Sequence, residues 1–240
     1  MSKLVIIAAA EIEVAALVRG WEHSHTTAQR HGVDIFEGRD AVVAVAGMGP
    51  IAGRIAADTA YKRCNGEVRG FLSVGFAGAL NAKLEAADIF EPKKIVCAAD
   101  DTEISNGTGS GTLVSAGAVA GHEQKLTLAK KHGAEAVDME AYSVADVARI
   151  YGVPFRAIKV ISDELDFPMP PMGRFIDEKG RFQTGSFVIY SVIRPWIWPT
   201  VWRLARNSRR ASHVLCERLK QEIGTAREGG AVSQMSEVSR

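Results

Sequence analysis

The chain has 240 residues, enough for one or two domains and enough to bury a core without a disulfide or metal staple. An apolar fraction of 47% and a charged fraction of 24% exclude wholesale disorder and collagen-like structure. A net charge of +1 excludes a chain-wide electrostatic footprint for nucleic acid.

The elements follow in order. Leu4–Ala10 is a short apolar run without polar alternation, which suits a strand covered on both faces. Met1 to Ala10, with Lys3 ahead of the apolar run and small residues after it, has some features of a secretion signal, but the run is short and Glu11 and Glu13 follow it at once. The three separated cysteines, Cys64, Cys97 and Cys216, form no CxxC or Cys/His cluster, so no zinc site or disulfide framework is indicated. Free thiols suit a reducing cytoplasm, and the protein is expected there. A helix is predicted over Glu11–Arg19. A second buried strand, Ala41–Ala46, ends in Gly47-Met48-Gly49-Pro50, and a helix follows over Ile51–Arg63. A third strand, Gly70–Val74, is closed by Gly75-Phe76-Ala77-Gly78. Strands are expected at Asp88–Ala98 and Thr112–Ala116, with a polar loop from Asp101 to Gly111 between them.

The clearest helix is Asp138–Tyr151, with Val144, Val147, Ala148 and Tyr151 on one face and Gly152 and Pro154 to end it. Phe155–Ile161 is the next buried strand, closed by Ser162-Asp163. Three prolines make Phe167–Gly173 irregular. A helical region runs from about Gly180 to Glu222, and the polar tail, 223–240, is expected to be disordered. Alternating strands and helices, with no linker or repeat, imply one α/β domain over 1–222 with a largely parallel sheet. No apolar stretch reaches the ~18 residues a membrane span needs.

Ligands in open α/β sheets sit beyond the carboxyl ends of the strands, where glycine lets the backbone approach them. Gly47-Met48-Gly49-Pro50-Ile51-Ala52 fits the dinucleotide pattern G-x-G-x-x-A, with Glu67 twenty residues on. That reading is set aside: Glu67 precedes the next strand instead of following it, and Pro50 removes an amide from the turn. Three carboxylates stand beside apolar sequence: Glu13, Glu140 and Asp163. Burial raises a carboxylate's pKa and suits it to acid catalysis. Each also has an ordinary reading, Glu13 as a favourable charge at a helix start and Asp163 as a helix cap.

Together these segments resemble a family. Val137-Asp-Met-Glu-Ala141, Gly152-Val-Pro-Phe155 and Ile161-Ser-Asp163 are similar to V-E-M-E-A, G-V-P-F and I-S-D of the nucleoside phosphorylase superfamily. Ala9-Ala-Glu-Ile-Glu-Val14 resembles A-M-E-E-E-V of its methylthioadenosine/S-adenosylhomocysteine nucleosidase branch. Ala46-Gly-Met-Gly-Pro50 resembles S-G-I-G-K, and Gly75-Phe-Ala-Gly-Ala-Leu80 resembles G-S-A-G-G-L. The motifs keep the family's order over about residues 1–165.

The resemblance implies a three-layer α/β/α sandwich with a mostly parallel central sheet, cleavage of an N-glycosidic bond without a cofactor or metal, and a homodimer or larger homo-oligomer. It assigns Asp163 as the acid that protonates the purine, with Ser162 beside it. Glu140 would bind the ribose hydroxyls and Met139 would pack on the sugar. Glu13 would orient or deprotonate the attacking water, and Phe76, Ala77 and Gly78 would form the base and ribose pocket. A neutral acid at the base and anions near a cationic sugar match the charges that develop. Phosphorylases of the superfamily carry a G-D-P-x-R-like loop where this chain has Ala10-Glu11-Ile12-Glu13. Hydrolysis is therefore expected over phosphorolysis with phosphate as co-substrate, although Arg54 and Arg69 remain candidate phosphate ligands.

Ala116-Gly117-Ala118-Val119 replaces a G-D-A-F-like stretch, so an aromatic that would cover the base is missing. Asp166-Phe-Pro-Met-Pro-Pro-Met172 and Arg194-Pro-Trp-Ile-Trp-Pro-Thr-Val-Trp202 resemble the hopanoid-associated branch, which is thought to release adenine from adenosylhopane. Residues 190–220 hold Arg194, Arg203, Arg206, Arg209, Arg210, Arg218 and Lys220 against Glu217 alone, a local charge of +6. Trp196, Trp198 and Trp202 lie among them. Trp with Arg suits a peripheral membrane contact and a lipid-linked adenosyl nucleoside. A subunit or core contact is the competing reading.

Overall fold

The computed structural model describes residues 2–105 and 109–237. The first apolar run forms β1 (Lys3–Ala8), and the helix after it, α1 (Glu11–Val14), is a single turn. A hairpin of β2 (Glu22–Ala28) and β3 (His31–Glu37) then adds an edge to the sheet. It is not anticipated from sequence, because β2 is mostly exposed and polar and carries little apolar signal. β4 (Ala41–Val45) is wholly buried and leads into α2 (Pro50–Arg63), which Pro50 opens at a position where no backbone donor is needed.

β5 (Val68–Ala79) corrects the sequence reading. Gly75 to Gly78 do not close the strand; they continue it, paired with β11 (Phe155–Asp163), Lys159 opposite Gly75 and, past a register shift at Ser162, Asp163 opposite Gly78. The strand expected at Asp88–Ala98 is split into β6 (Ile89–Phe90) and β7 (Lys94–Cys97), with Pro92, which has no amide to donate, between them. β8 (Glu103–Ser105) lies in the expected loop, whose residues 106–108 are outside the described residues. β9 (Thr112–Ser115) precedes α3 (His122–His132), a mostly exposed helix not read from sequence. Asp138 ends β10 (Ala136–Asp138) and does not start the next helix, because this segment pairs with β9 and β5; α4 (Ala141–Tyr151) begins after it.

The C-terminal region holds a 3-10 turn at Met172–Phe175, α5 (Thr184–Val192), a second such turn at Pro195–Ile197, and α6 (Trp198–Glu237). The tail expected from residue 223 is helical backbone as far as Glu237. Once a helix is nucleated, each further residue ordered adds a hydrogen bond, so a long helix extends through weakly favourable sequence. Residues 238–240 lie outside the described residues.

The sheet is largely parallel: β4, β1, β5 and β11 pair in that sense, as do β10, β9 and β7, and an antiparallel pair of β5 with β10 joins the two groups. Antiparallel pairs of β2 with β3, β3 with β4, and β7 with β8 flank them. One apolar layer joins Val5, Ile7 and Val42 of the sheet to Ile55 of α2 and Val144 and Val147 of α4. The opposite layer joins Ile6, Val43 and Leu72 to Val14 of α1 and Leu215 and Leu219 of α6. The result is the expected α/β/α arrangement, each such buried side chain contributing about 1.5–3 kcal/mol. It brings the ends of β1, β4, β5, β10 and β11 to one place.

Candidate active site

At that place is a cavity of about 540 Å³, and every site residue expected from sequence lines it: Glu13, Phe76, Ala77, Gly78, Met139, Glu140, Ser162 and Asp163. Residues up to 150 positions apart are thus brought together by the parallel strands that carry them.

Glu13 is 4% exposed. Its Oε2 accepts the amides of Ala9 (2.9 Å) and Ala10 (3.0 Å), and its Oε1 accepts the amide of Phe76 (3.0 Å). Burial raises its pKa, against those amides and the charge of Lys159. Gly75 makes room for it. A Cβ at Gly75 would lie 2.6 Å from Glu13 Oε1, and the backbone there has φ +131°, which disfavours any side chain. Glu140 caps α4, and its Oε1 accepts the amide of Gly49 at 2.6 Å. Burial first, then the neighbouring charge of Asp138, raises its pKa to about 7, opposed by Lys159 and the Gly49 amide.

Between these carboxylates lies an ion pair missed from sequence. Lys159 Nζ is 2.7 Å from Asp138 Oδ2, and both side chains are fully buried. Burial works against the ammonium, but the charges of Asp138, Glu140 and Glu13 outweigh it and raise the Lys159 pKa. Asp138 is held in turn by the Ser115 hydroxyl (2.5 Å) and the Ala141 amide (2.8 Å). The available signal was a lone lysine inside the apolar run Phe155–Ile161.

Asp163 has two side-chain partners. The Ser162 hydroxyl donates to Oδ1 at 2.5 Å. Lys125 Nζ donates to Oδ2 at 2.5 Å and to the Glu164 carbonyl at 2.7 Å. Lys125 also lines the cavity and is 1% exposed. Asp163 thus sits in a buried pair with Lys125, a partner not expected from sequence. Lys125 belongs to α3, in a sequence so polar that it reads as a solvated face.

The rest of the wall is apolar and comes largely from the C-terminal region, with Met169, Met172, Ile176, Phe187 and Leu204 among its residues. Ala118 and Val119 stand in it where the aromatic was missed. Arg54 and Arg69 do not line it. Arg54 pairs with Asp146 at 2.8 Å and is half exposed.

Residues 108–171 match the phosphorylase superfamily. The match spans β9 to β11 and with it Glu140 and Asp163, in agreement with the resemblance drawn from the motifs. The fold as a whole is similar to that of solved nucleosidases. A 5′-methylthioadenosine/S-adenosylhomocysteine nucleosidase of Helicobacter pylori superposes with a TM-score of 0.66 at 16% identity, covering 93% of this chain and 98% of that one. A futalosine hydrolase of the same organism gives 0.62 at 16% identity, covering 92% and 98%. The 5′-methylthioadenosine nucleosidase of Arabidopsis thaliana gives 0.69 at 16%, covering 94% and 96%. No curated protein matches the chain by sequence.

Proposed function

We propose that the chain is a purine nucleosidase-like enzyme that cleaves the N-glycosidic bond of an adenosyl compound. The observation that carries this reading is the convergence of Asp163, Glu140 and Glu13 in one apolar-walled cavity. Asp163 passes a proton, resupplied by Lys125, to N7 of the purine. The electrons of the bond between ribose C1′ and N9 move into the base, and adenine leaves. The sugar carries positive charge as the bond breaks, and the anionic forms of Glu140 and Glu13 stabilise it. Glu140 holds the ribose hydroxyls, Met139 packs against the sugar, and Phe76 to Gly78 wall the base and ribose. Water adds to C1′ and gives its proton to Glu13.

Water is favoured over phosphate because Glu13 at the nucleophile's place would repel an oxyanion, and Arg54 and Arg69 stand outside the cavity. Of the cations that line it, Lys125 is tied to Asp163, and Arg209 is on α6. The substrate reading is adenosylhopane, supported by the resemblance of 166–172 and 194–202 to the hopanoid-associated branch and by the apolar wall those regions help to build.

The test is adenine release from adenosylhopane by the purified protein, with and without phosphate. Equal release in both conditions is expected. Strictly phosphate-dependent release with formation of a sugar phosphate would overturn hydrolysis. No release from adenosylhopane or from smaller adenosyl compounds would overturn the enzyme reading in favour of a binding module.

A further inference from the structure

From Lys179 to Cys216 the chain contains no Asp or Glu, but it holds Lys179, Arg181, Arg194, Arg203, Arg206, Arg209 and Arg210. Among the described residues, none of the last five has a carboxylate partner. Three lie over aromatic rings instead: Arg194 over Tyr190 at 3.9 Å, Arg203 over Phe167 at 4.4 Å and Arg206 over Trp202 at 5.4 Å.

The same stretch exposes large apolar side chains. Val188, Ile189 and Val192 on α5 and Ile193 after it are 51–68% exposed, and Trp196, Trp198 and Trp202 are 54–72% exposed. Seven such residues within fifteen positions form a concentration that a water-facing surface does not need. Trp is amphipathic and favours the level of lipid headgroups, and guanidinium groups pair with phosphate. The elements that present this face also wall the cavity from within, through Thr184 and Phe187 of α5 and Val201 and Leu204 of α6.

We propose that α5, the turn after it and the first turns of α6 form a docking face for an anionic lipid bilayer. The charge selects this occupant. A second copy packed symmetrically on the same face would set unpaired arginines against arginines, whereas anionic headgroups neutralise them. The apolar end of the cavity is then walled by helices in contact with lipid, so an amphiphile reaches the site without crossing water. The docking stands whichever nucleoside is cut.

Vesicle flotation of the full chain tests this directly. The protein is expected to float with phosphatidylcholine vesicles that contain phosphatidylglycerol, to stay below with phosphatidylcholine alone, and to be released by salt. Arg206→Gln with Arg210→Gln, both exposed and outside the cavity wall, should weaken partitioning about thirtyfold, on about 1 kcal/mol for each basic residue at an anionic surface. Trp196→Ala with Trp202→Ala should lower the bound fraction with an unchanged circular dichroism spectrum. Absence of flotation, or flotation that neither pair of substitutions alters, would overturn the proposal. So would loss of a dimer in the tryptophan variant without any vesicle binding, which would assign the face to self-association. Retention on RNA but not on vesicles would likewise contradict it.

Discussion

Glu140 illustrates how much a single environment sets. Its folded pKa of about 7 lies above the ordinary 4.5, so the folded state holds the proton more tightly than the unfolded chain. The stability this group contributes is complete below about pH 4.5 and is lost as pH rises through about 7. The anion that suits a cationic sugar forms over the same upper range. Thermal unfolding of the wild type should therefore decline between those values relative to Glu140→Gln, and kcat/KM should rise through about pH 7. Parallel unfolding curves for the two proteins would contradict the assignment. Glu13, Glu140 and Asp163 were legible in sequence because each sits in a short motif beside a buried strand. Lys125 and Asp138 were not: one is hidden among the charges of α3, and the other reads as the first residue of a helix. Only the tertiary pairing shows that their charges are compensated.

The elements matter through what they hold together. β10 and β11 supply Asp138 and Lys159, a fully buried pair under the carboxylates of the site. Removing one partner strands the other charge. Lys159→Met should destabilise the protein by about 3–5 kcal/mol in urea unfolding, and Lys159→Met with Asp138→Asn should recover a substantial part of that loss. A single variant as stable as the wild type would show that the pair is not needed. The buried strands were readable because they are covered on both faces and run apolar without alternation. The β2–β3 hairpin was not, since an edge strand facing water has no such pattern. The extension of β5 through Gly75–Gly78 was hidden for another reason. Gly75 marks a close approach of Glu13 to the strand backbone and Gly78 one of Lys125 and Asp163, and in sequence that is indistinguishable from a turn.

Across the whole molecule, the near-zero net charge conceals a division. The site end carries buried carboxylates compensated by two buried lysines, and the C-terminal region carries a basic, tryptophan-rich face without acids. The three-layer fold followed from the alternation of elements and the motif order, but the shared apolar wall did not, because it depends on how 166–209 folds back over the sheet. The cavity joins the carboxylates of the strand ends to an apolar wall from the C-terminal region. Adenine release from adenosylhopane by the wild type and by Asp163→Asn, measured side by side, tests the role of Asp163 most directly. The acid role of Asp163 predicts release by the wild type and a loss of about 10²–10⁴-fold in kcat for the variant, which should keep a native circular dichroism spectrum but lose thermal stability, since the amide keeps the shape of the site, carries no acidic proton and leaves the buried Lys125 without its counter-charge. Near-equal release by the two proteins would contradict it.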